Sequence, residues 1–305
     1  MKLATSPVIS DAAPLRFPNP QSGEPTVEWD GRLFRDGNIS TDVLDYTCTN
    51  EGWTDEHSEY TENTDSPNHF IALASRQHTL AELAKCELPR DARILEVGCS
   101  TGEVIEEVSA VYANATVIGS DVSLRALRRL AELQPGTPLM RFDLTECPLP
   151  SNSVDAVIAL NVLEHIEDDY KAAREMFRIL KPNGKAIIEV PAGPELYDDY
   201  DRFLHHFRRY SMSRLCKALS EAGFIIEYKS HLGCFIYPGF WAVKQLGKVL
   251  KKDKTKIDVK SVTRNIDTTS GNPLLKLVTD VELVLGNFLH YPYGIRCLVT
   301  CRKSR

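Results

Sequence analysis

A glycine-containing turn is followed along this sequence by three polar residues, each at the end of an apolar segment. The turn lies in ILEVGCSTGEV, where Gly98 and Gly102 would let the backbone bend tightly and approach a ligand that a β-carbon would obstruct. Asp121 follows Gly98 by about 23 residues, and its carboxylate can accept both hydroxyl protons of a ribose. Asp143 can accept from an adenine amino group, and Asn161 ends a further apolar segment. This spacing predicts a crevice that binds a nucleoside.

Short apolar strands alternate with helical segments after Pro89 and would position these residues. The run AVIAL at 156–160 is typical of a parallel strand buried on both faces. Ligands of such sheets bind outside the carboxyl ends of the strands, so the polar strand ends should converge on one crevice. The predicted strands are Ala92–Val97, Thr116–Ser120, Leu139–Asp143, Val154–Leu160, Lys185–Val190, Phe224–Lys229 and Ile295–Arg302. Helices are predicted at Glu103–Tyr112, Ser123–Leu133, Asp168–Leu180 and Ser213–Ala222.

The predicted fold class is α/β, a Rossmann-like, doubly wound and mostly parallel sheet of seven strands whose last strand is antiparallel. A helical insertion of about 60 residues, with helices near 239–252 and 273–289, precedes that last strand. We predict an acidic, partly ordered N-terminal arm over residues 1–66 and one domain over 67–305. Within the domain, residues 90–192 form the cofactor half, and 193–223 and 233–294 form elements around the second substrate.

Composition excludes several classes of protein. The chain has 305 residues, 43% of them hydrophobic, which is enough to bury a core. Its formal net charge of −6 and pI of 5.8 argue against nucleic-acid binding, which usually requires a basic surface. The eight cysteines are scattered and include no C-x-x-C pair, which predicts reduced thiols. The N-terminus has no apolar signal region, so we predict a cytoplasmic protein.

Five strings, in order along the chain, resemble the class I S-adenosylmethionine-dependent methyltransferases, in particular the type 11 group that acts on small molecules. They are ILEVGCSTG, VIGSDVS, RFDL, VDAVIALNVLEHIED and FRILKPNGKAIIEVP. The resemblance implies S-adenosylmethionine as cofactor and assigns its site to Glu96, Gly98 and Gly102 (methionine pocket), Asp121 (ribose), Asp143 and Leu144 (adenine), and the Asn161 carbonyl (methionine amino group).

Two further features concern the cofactor site. The string NHFIALASRQ at 68–77 resembles a helix of the family, which would put Arg76 near the cofactor carboxylate; the alternative is a surface arginine on an amphipathic helix. Ser100 stands where the family usually has the middle glycine of G-x-G-x-G. A serine is expected to fit there if its φ is negative.

His165 is the candidate catalytic residue. A sulfonium methyl group is already activated, so transfer mainly requires an aligned nucleophile and the exclusion of water. A base would help if the methyl acceptor is a hydroxyl, and LEHIED places Glu164 and His165 after the fourth strand, beside the crevice. The alternative is a capping or packing histidine. We predict no metal site, because the sequence offers no third ligand.

A second polar cluster, RFLHHFRRYS at 202–211, follows the fifth strand. In the family this region covers the acceptor pocket, which makes His206, Arg209 and Tyr210 candidate acceptor-binding residues. The alternative is that Arg208 and Arg209 form ion pairs that clamp the loop, with partners drawn from Asp198, Asp199 and Asp201.

The insertion combines apolar and basic side chains. Phe240, Val243, Leu246 and Leu250 share one helical face, with Lys244, Lys248, Lys251 and Lys252 largely opposite. A lid over the active site is the favoured interpretation, and a peripheral membrane contact through residues 235–254 is the alternative.

We therefore expect a methyltransferase that acts on oxygen or nitrogen of a small molecule, which could be apolar or lipid-linked. No nucleic-acid partner is expected, and the oligomeric state is left open. The alternatives are a nicotinamide-dependent oxidoreductase and a module that binds S-adenosylmethionine without catalysis. Gly98-x-x-x-Gly102 lacks the G-x-G-x-x-G spacing of dinucleotide sites, which disfavours the oxidoreductase.

Overall fold

A mixed eight-stranded sheet organises the part of the chain that the computed structural model describes, residues 15–37, 39–46, 69–250 and 272–304. The strands of this sheet are β5 (Val43–Asp45), β6 (Arg93–Val97), β7 (Thr116–Asp121), β8 (Leu139–Arg141), β9 (Val154–Leu160), β10 (Leu180–Pro191), β11 (Phe224–Leu232) and β12 (Arg296–Lys303). Their spatial order is β11-β12-β10-β9-β6-β7-β8-β5. The chain order reverses between β6 and β9, which is where ligands of open α/β sheets bind.

Helices cover both faces of this sheet. They are α1 (Phe70–Ala84), α2 (Glu103–Val111), α3 (Leu124–Leu133), α4 (Asp169–Ile179), α5 (Asp199–Phe203), α6 (Met212–Glu221), α7 (Tyr237–Leu250) and α8 (Pro273–Gly286). Strand β9 shows why the apolar runs are continuous. Val157 and Ala159 belong to one buried cluster, whereas Ala156 and Ile158 belong to a second. Successive side chains point to opposite faces, so both faces need apolar residues.

The last strand confirms the predicted topology. β12 pairs antiparallel with β10, with Val190 opposite Cys297, and antiparallel with β11. The other strand pairs of this sheet are parallel. The predicted α/β fold with an antiparallel last strand is therefore confirmed, and the eighth strand, β5, lies parallel to β8 at the edge.

Residues 15–46 contain strands that the sequence pattern did not indicate. β1 (Leu15–Phe17), β2 (Val27–Trp29), β3 (Phe34–Asp36) and β4 (Ile39–Thr41) form a separate antiparallel sheet. Each strand has only three residues, which is too short for an alternating pattern to stand out. Phe17 and Phe34 are buried in the same cluster as β9, so this sheet packs on the domain core. The other residues of the predicted arm, 1–14, 38 and 47–66, lie outside the described residues.

Helices α7 and α8 form the insertion before β12. Within the described ranges, no helix is both long and apolar enough to cross a lipid bilayer. Of the lysines predicted on the basic side of the insertion, Lys251 and Lys252 lie outside the described residues.

Helix α7 directs a charge inward and apolar groups outward. Lys244 Nζ lies 2.6 Å from Asp198 Oδ2, and its side chain is only 12% exposed. The neighbouring Val243 is 62% exposed, and Leu246 is 58% exposed. This corrects the expectation that Lys244 lies on a solvated basic face and that Val243 and Leu246 pack as a lid.

Candidate functional site

The glycine turn joins β6 to α2 and is too crowded for other residues. Gly98 has a φ of +72°, and a β-carbon there would lie 2.8 Å from Cγ2 of Val162. Gly102 has a φ of +85° and is the N-cap of α2. Both positions need the left-handed backbone that glycine adopts without strain. The turn therefore brings bare backbone to the carboxyl end of β6.

Ser100 corrects one expectation from the sequence. Its φ is +43° rather than negative, so a serine occupies the left-handed region at the middle of the turn. Such a conformation costs a non-glycine residue roughly 1–2 kcal/mol. The Ser100 backbone N–H donates to Asp121 Oδ2 at 3.0 Å, which holds the strained residue in place.

Asp121 ends β7 and ties the turn to the next strand. Besides Ser100, it accepts from the backbone N–H of Ser123 at 2.9 Å, through Oδ1. These two hydrogen bonds hold the Asp121 carboxylate at the carboxyl end of β7, beside the glycine turn. Asp143, two residues after β8, accepts from the backbone N–H of Thr145 at 2.7 Å and begins a short 3₁₀ helix that contains buried Leu144.

Buried polar atoms without partners line this end of the sheet. Oε2 of Glu96 and Oδ1 of Asn161 are both buried and have no hydrogen-bond partner among the described residues. Burial, with the nearby carboxylates of Glu103 and Asp121, raises the pKa of Glu96 well above its usual value. A cationic ligand with N–H donors would relieve both the desolvation and the repulsion. The site therefore fits a ligand that brings a cationic group with N–H donors.

Glu189 is a site residue that the sequence analysis missed. It lies on β10 and accepts from the Ser75 hydroxyl at 2.8 Å and from Asn161 Nδ2 at 3.4 Å, and it pairs with Arg296 at 3.6 Å. A single carboxylate within the apolar string AIIEVP was the signal that could have found it, because charged residues are seldom buried without partners.

Arg76 lies on α1 in a mostly buried position. Its side chain is 11% exposed, and Nε donates to Glu107 of α2 at 2.7 Å. This arginine is therefore not the solvated surface residue that the alternative interpretation describes. The ion pair links α1 to the helix that follows the glycine turn.

Glu164, His165 and His206 come together from two separate segments of the chain. One ligand atom from each lies within 4.8 Å of the other two, and the two imidazole rings stack edge to face at 4.6 Å. Burial raises the pKa of Glu164 to about 8, and neither of its carboxylate oxygens has a hydrogen-bond partner in the described part of the chain. His206 is the third candidate metal ligand that the sequence did not offer. The arrangement can accept a proton or hold a divalent ion.

Asp201 positions His206. His206 Nδ1 donates to Asp201 Oδ1 at 2.9 Å, and Arg209 Nε donates to the same carboxylate at 2.8 Å. Burial acts to raise the pKa of Asp201, but the hydrogen bond from His206 and the charge of Arg209 hold it well below its usual range. The pKa of His206 is lowered, mainly by burial. This fixes the ring with Nε2 as the remaining acceptor.

The two arginines of the second cluster have different partners. Arg209 forms the clamp with Asp201, whereas Arg208 pairs with Asp169 at 3.3 Å and not with the predicted aspartates. Tyr210 has no exposed surface, and its hydroxyl donates to Asp169 Oδ2 at 2.7 Å. The position of Tyr210 is that of a core residue, in contrast to the acceptor contact predicted for it.

Comparison with known proteins supports the resemblance. Residues 95–188 match the model of a family described as methyltransferase domain. These residues form a methyltransferase domain. A probable S-adenosylmethionine-dependent methyltransferase of Mycolicibacterium smegmatis is 30% identical over 44% of this chain and 52% of the relative. The ubiquinone/menaquinone biosynthesis C-methyltransferase of Syntrophotalea carbinolica is 28% identical over 43% of this chain and 58% of the relative. The chain thus spans about half the length of the curated relatives it matches.

Solved structures match beyond the methyltransferase domain itself. Phosphoethanolamine N-methyltransferase 2 of Haemonchus contortus, in complex with S-adenosyl-L-methionine, superposes with a TM-score of 0.50 at 17% identity, over 84% of this chain and 61% of that one. The [4+2]-cyclase SpnF also has a TM-score of 0.50, at 19% identity, over 75% and 80% of the two chains. These likenesses establish the fold, and a cyclase among them shows that the fold alone does not fix the reaction.

Proposed function

We propose that this protein transfers the methyl group of S-adenosylmethionine to oxygen or nitrogen of a small molecule by in-line displacement. The observation that carries the proposal is the convergence of the glycine turn, Asp121 and the partnerless buried atoms of Glu96 and Asn161 at the carboxyl ends of the strands. The named relatives, which are methyltransferases, support the same assignment.

Each part of the cofactor has a proposed partner. Gly98 and Gly102 leave room for the methionine portion, and Glu96 offers it a carboxylate. Asp121 would bind the ribose hydroxyls, because its carboxylate ends β7 at the edge of the sheet where such ligands bind. The remaining proposed contacts are Asp143 and Leu144 for adenine, Asn161 for the amino group, and Arg76 for the carboxylate.

On the acceptor side, the proposed base is His165, with His206 and Arg209 as acceptor-binding residues. S-adenosylmethionine supplies the activated methyl group, so the protein needs to orient the acceptor, exclude water and receive one proton. Asp201 holds His206 and Arg209 together, which fixes one wall of this region. We leave Tyr210 out of the acceptor contacts, because its hydroxyl is committed to the core.

The cofactor proposal is tested by calorimetric titration of the full chain with S-adenosylhomocysteine and, on the same sample, with NAD. Micromolar affinity for S-adenosylhomocysteine and no measurable heat with NAD are expected. Binding of NAD alone, or of neither ligand, would overturn the proposal in favour of an oxidoreductase or of no nucleoside site.

Catalysis is tested separately. Protein incubated with methyl-tritiated S-adenosylmethionine and panels of phenols, catechols, amines and isoprenoid quinols should transfer label to an extractable product. We expect transfer to survive dialysis against EDTA, because a sulfonium methyl needs no Lewis acid. Loss of transfer on dialysis and recovery with added Zn²⁺ or Mn²⁺ would instead make Glu164, His165 and His206 metal ligands. Tight cofactor binding without any transfer would favour the binding module.

A cytoplasmic location stays a prediction from the scattered cysteines.

A further inference from the structure

Arg141 is the last residue of β8 and has an aspartate opposite it on each neighbouring strand. In the register of the sheet it faces Asp121 of β7 on one side and Asp45 of β5 on the other. Its side chain is 24% exposed, and a charged side chain withdrawn from solvent to this extent is normally held by partners. Because β8 ends here, Arg141 lies at the carboxyl ends of the strands, beside the proposed ribose site.

The guanidinium of Arg141 contacts a peptide group that also contacts Asp121. Arg141 Nε donates to the Val122 carbonyl at 2.9 Å. The Val122 carbonyl and the Ser123 N–H belong to the same peptide group, and that N–H donates to Asp121 Oδ1 at 2.9 Å. One peptide group therefore lies between a cation and a carboxylate. A cation at the carbonyl polarises the peptide and strengthens the hydrogen bond from its N–H, because linked hydrogen bonds reinforce one another.

Strand β5 holds Arg141 from the other side. Arg141 Nη1 lies 3.4 Å from Asp45 Oδ2, and the Tyr46 N–H donates to the Arg141 carbonyl at 3.0 Å. The Tyr46 hydroxyl in turn donates to the Pro18 carbonyl at 2.6 Å. Residues of the predicted N-terminal arm therefore fix the backbone and the guanidinium of Arg141.

The surroundings of Asp121 are acidic. Glu96 is buried, and the carboxylates of Glu103 and Asp121 add to the effect of burial in raising its pKa. A ribose is best bound by an ionised carboxylate, which accepts from both hydroxyls. The positive charge of Arg141 acts on Asp121 across one peptide group and opposes the repulsion among these carboxylates.

Arg302 is an arginine with similar contacts at the other end of the sheet. Its Nε donates to Glu227 at 2.7 Å and its Nη1 to Asn183 at 3.2 Å, and its side chain is 26% exposed. It lies opposite Lys185, in the first half of β10, whereas the candidate site lies at the carboxyl end of that strand. Arg302 therefore offers a matched comparison for an arginine that only joins strands.

We propose that Arg141 is a positioning residue that holds the ribose-binding carboxylate of Asp121 through the peptide group that joins Val122 to Ser123. The inference rests on the proposed function, because it presumes a nucleoside at Asp121. Arg141 acts on the cofactor through Asp121, by fixing the direction of that carboxylate and stabilising its charge. Asp45 orients the guanidinium, so the edge strand β5 contributes indirectly to the cofactor site.

The test is a double-variant cycle in the full chain, with the Kd for S-adenosylhomocysteine measured by calorimetric titration. Arg141→Met removes the guanidinium and keeps an unbranched side chain. Alone it should raise the Kd about fivefold to tenfold. In an Asp121→Asn background it should raise the Kd by less than about twofold, because the carboxylate through which Arg141 acts is absent. Arg141→Lys retains a charged donor and should keep the Kd within about threefold of wild type.

The matched control is Arg302→Met, which should lower the melting temperature and leave the Kd unchanged in both backgrounds. Circular dichroism establishes that each variant folds, and Arg141→Gln replaces Arg141→Met in the cycle if the latter does not. An equal rise in Kd from Arg141→Met in the two backgrounds, or a Kd for Arg141→Lys as weak as that for Arg141→Met, would overturn the positioning role and leave the proposed function intact. Absence of S-adenosylhomocysteine binding by the wild type would overturn both.

Discussion

Asp121→Asn separates the structural role of this carboxylate from the ribose-binding role proposed for it. In the wild type, Oδ2 accepts from the Ser100 N–H at 3.0 Å and Oδ1 accepts from the Ser123 N–H at 2.9 Å. An amide retains one acceptor oxygen, so one backbone N–H then faces an NH₂ group that cannot accept. Losing that hydrogen bond should cost about 1 kcal/mol of stability.

The larger effect of this substitution should be on cofactor affinity. Hydrogen bonds to a charged group contribute about 1.5–3 kcal/mol, so losing the ribose contact should raise the Kd for S-adenosylhomocysteine roughly 10-fold to 150-fold. Calorimetric titration of both proteins measures this change directly. A Kd within about threefold of wild type in a folded Asp121→Asn protein would refute the ribose assignment.

The control for Asp121 is a carboxylate with similar contacts at the other end of the strands. Asp155, at the start of β9, accepts from the Arg93 backbone N–H at 2.9 Å and pairs with Lys181 at 2.8 Å. Asp155→Asn should therefore lower the melting temperature without changing the Kd for S-adenosylhomocysteine. If the Kd rises equally in both variants, the effect of Asp121→Asn reflects general destabilisation of the sheet.

Two further predictions concern histidines. His165→Gln should lower turnover by roughly 10²-fold to 10⁴-fold and leave the cofactor Kd nearly unchanged. The control, His290→Gln, changes an exposed histidine and should alter neither quantity. If His165→Gln weakens turnover and cofactor binding in parallel, His165 is structural. His78 has its pKa lowered by burial to about 4, so the unfolded chain takes up a proton that the folded chain does not as pH falls from about 6.5 to about 4. The free energy of unfolding should be retained above this pH window and should fall within it. Between pH 7 and pH 5, urea denaturation should show that the wild type loses about 2 kcal/mol more of this free energy than His78→Phe does. Equal pH dependence in the two proteins would contradict the assignment.

The sheet could be predicted because its signals are local. A parallel strand buried on both faces is apolar along most of its length, so the run AVIAL at 156–160 identifies β9 without knowledge of its neighbours. The predicted fold class and the methyltransferase resemblance are confirmed. The strands of residues 15–46 escaped prediction because three-residue strands carry almost no periodicity, and their stability comes from packing Phe17 and Phe34 on the core.

The cofactor side and the acceptor side of the candidate site also differ in how far local sequence patterns predict them. The proposed cofactor residues follow strand ends, and parallel strands bring those ends to one edge wherever the chain leads between them. The meeting of His165 with His206 depends instead on a loop returning across the sheet, where the Phe207 N–H donates to the Glu164 carbonyl at 2.8 Å. No local pattern encodes that contact. The roles assigned to the individual site residues therefore stay predictions.

Helix α8 shows where periodicity stops being informative. The spacing of its leucines and valines predicts a helix with one mainly apolar side. The same spacing occurs whether that side packs on the domain core or faces solvent. The direction is decided by Glu282, which is fully buried and accepts two backbone N–H groups from residues 234 and 235. An acidic residue on such a helix is ordinarily taken as part of the solvated side. Its burial reverses that inference for α8 and leaves Leu274, Leu277 and Val284 exposed.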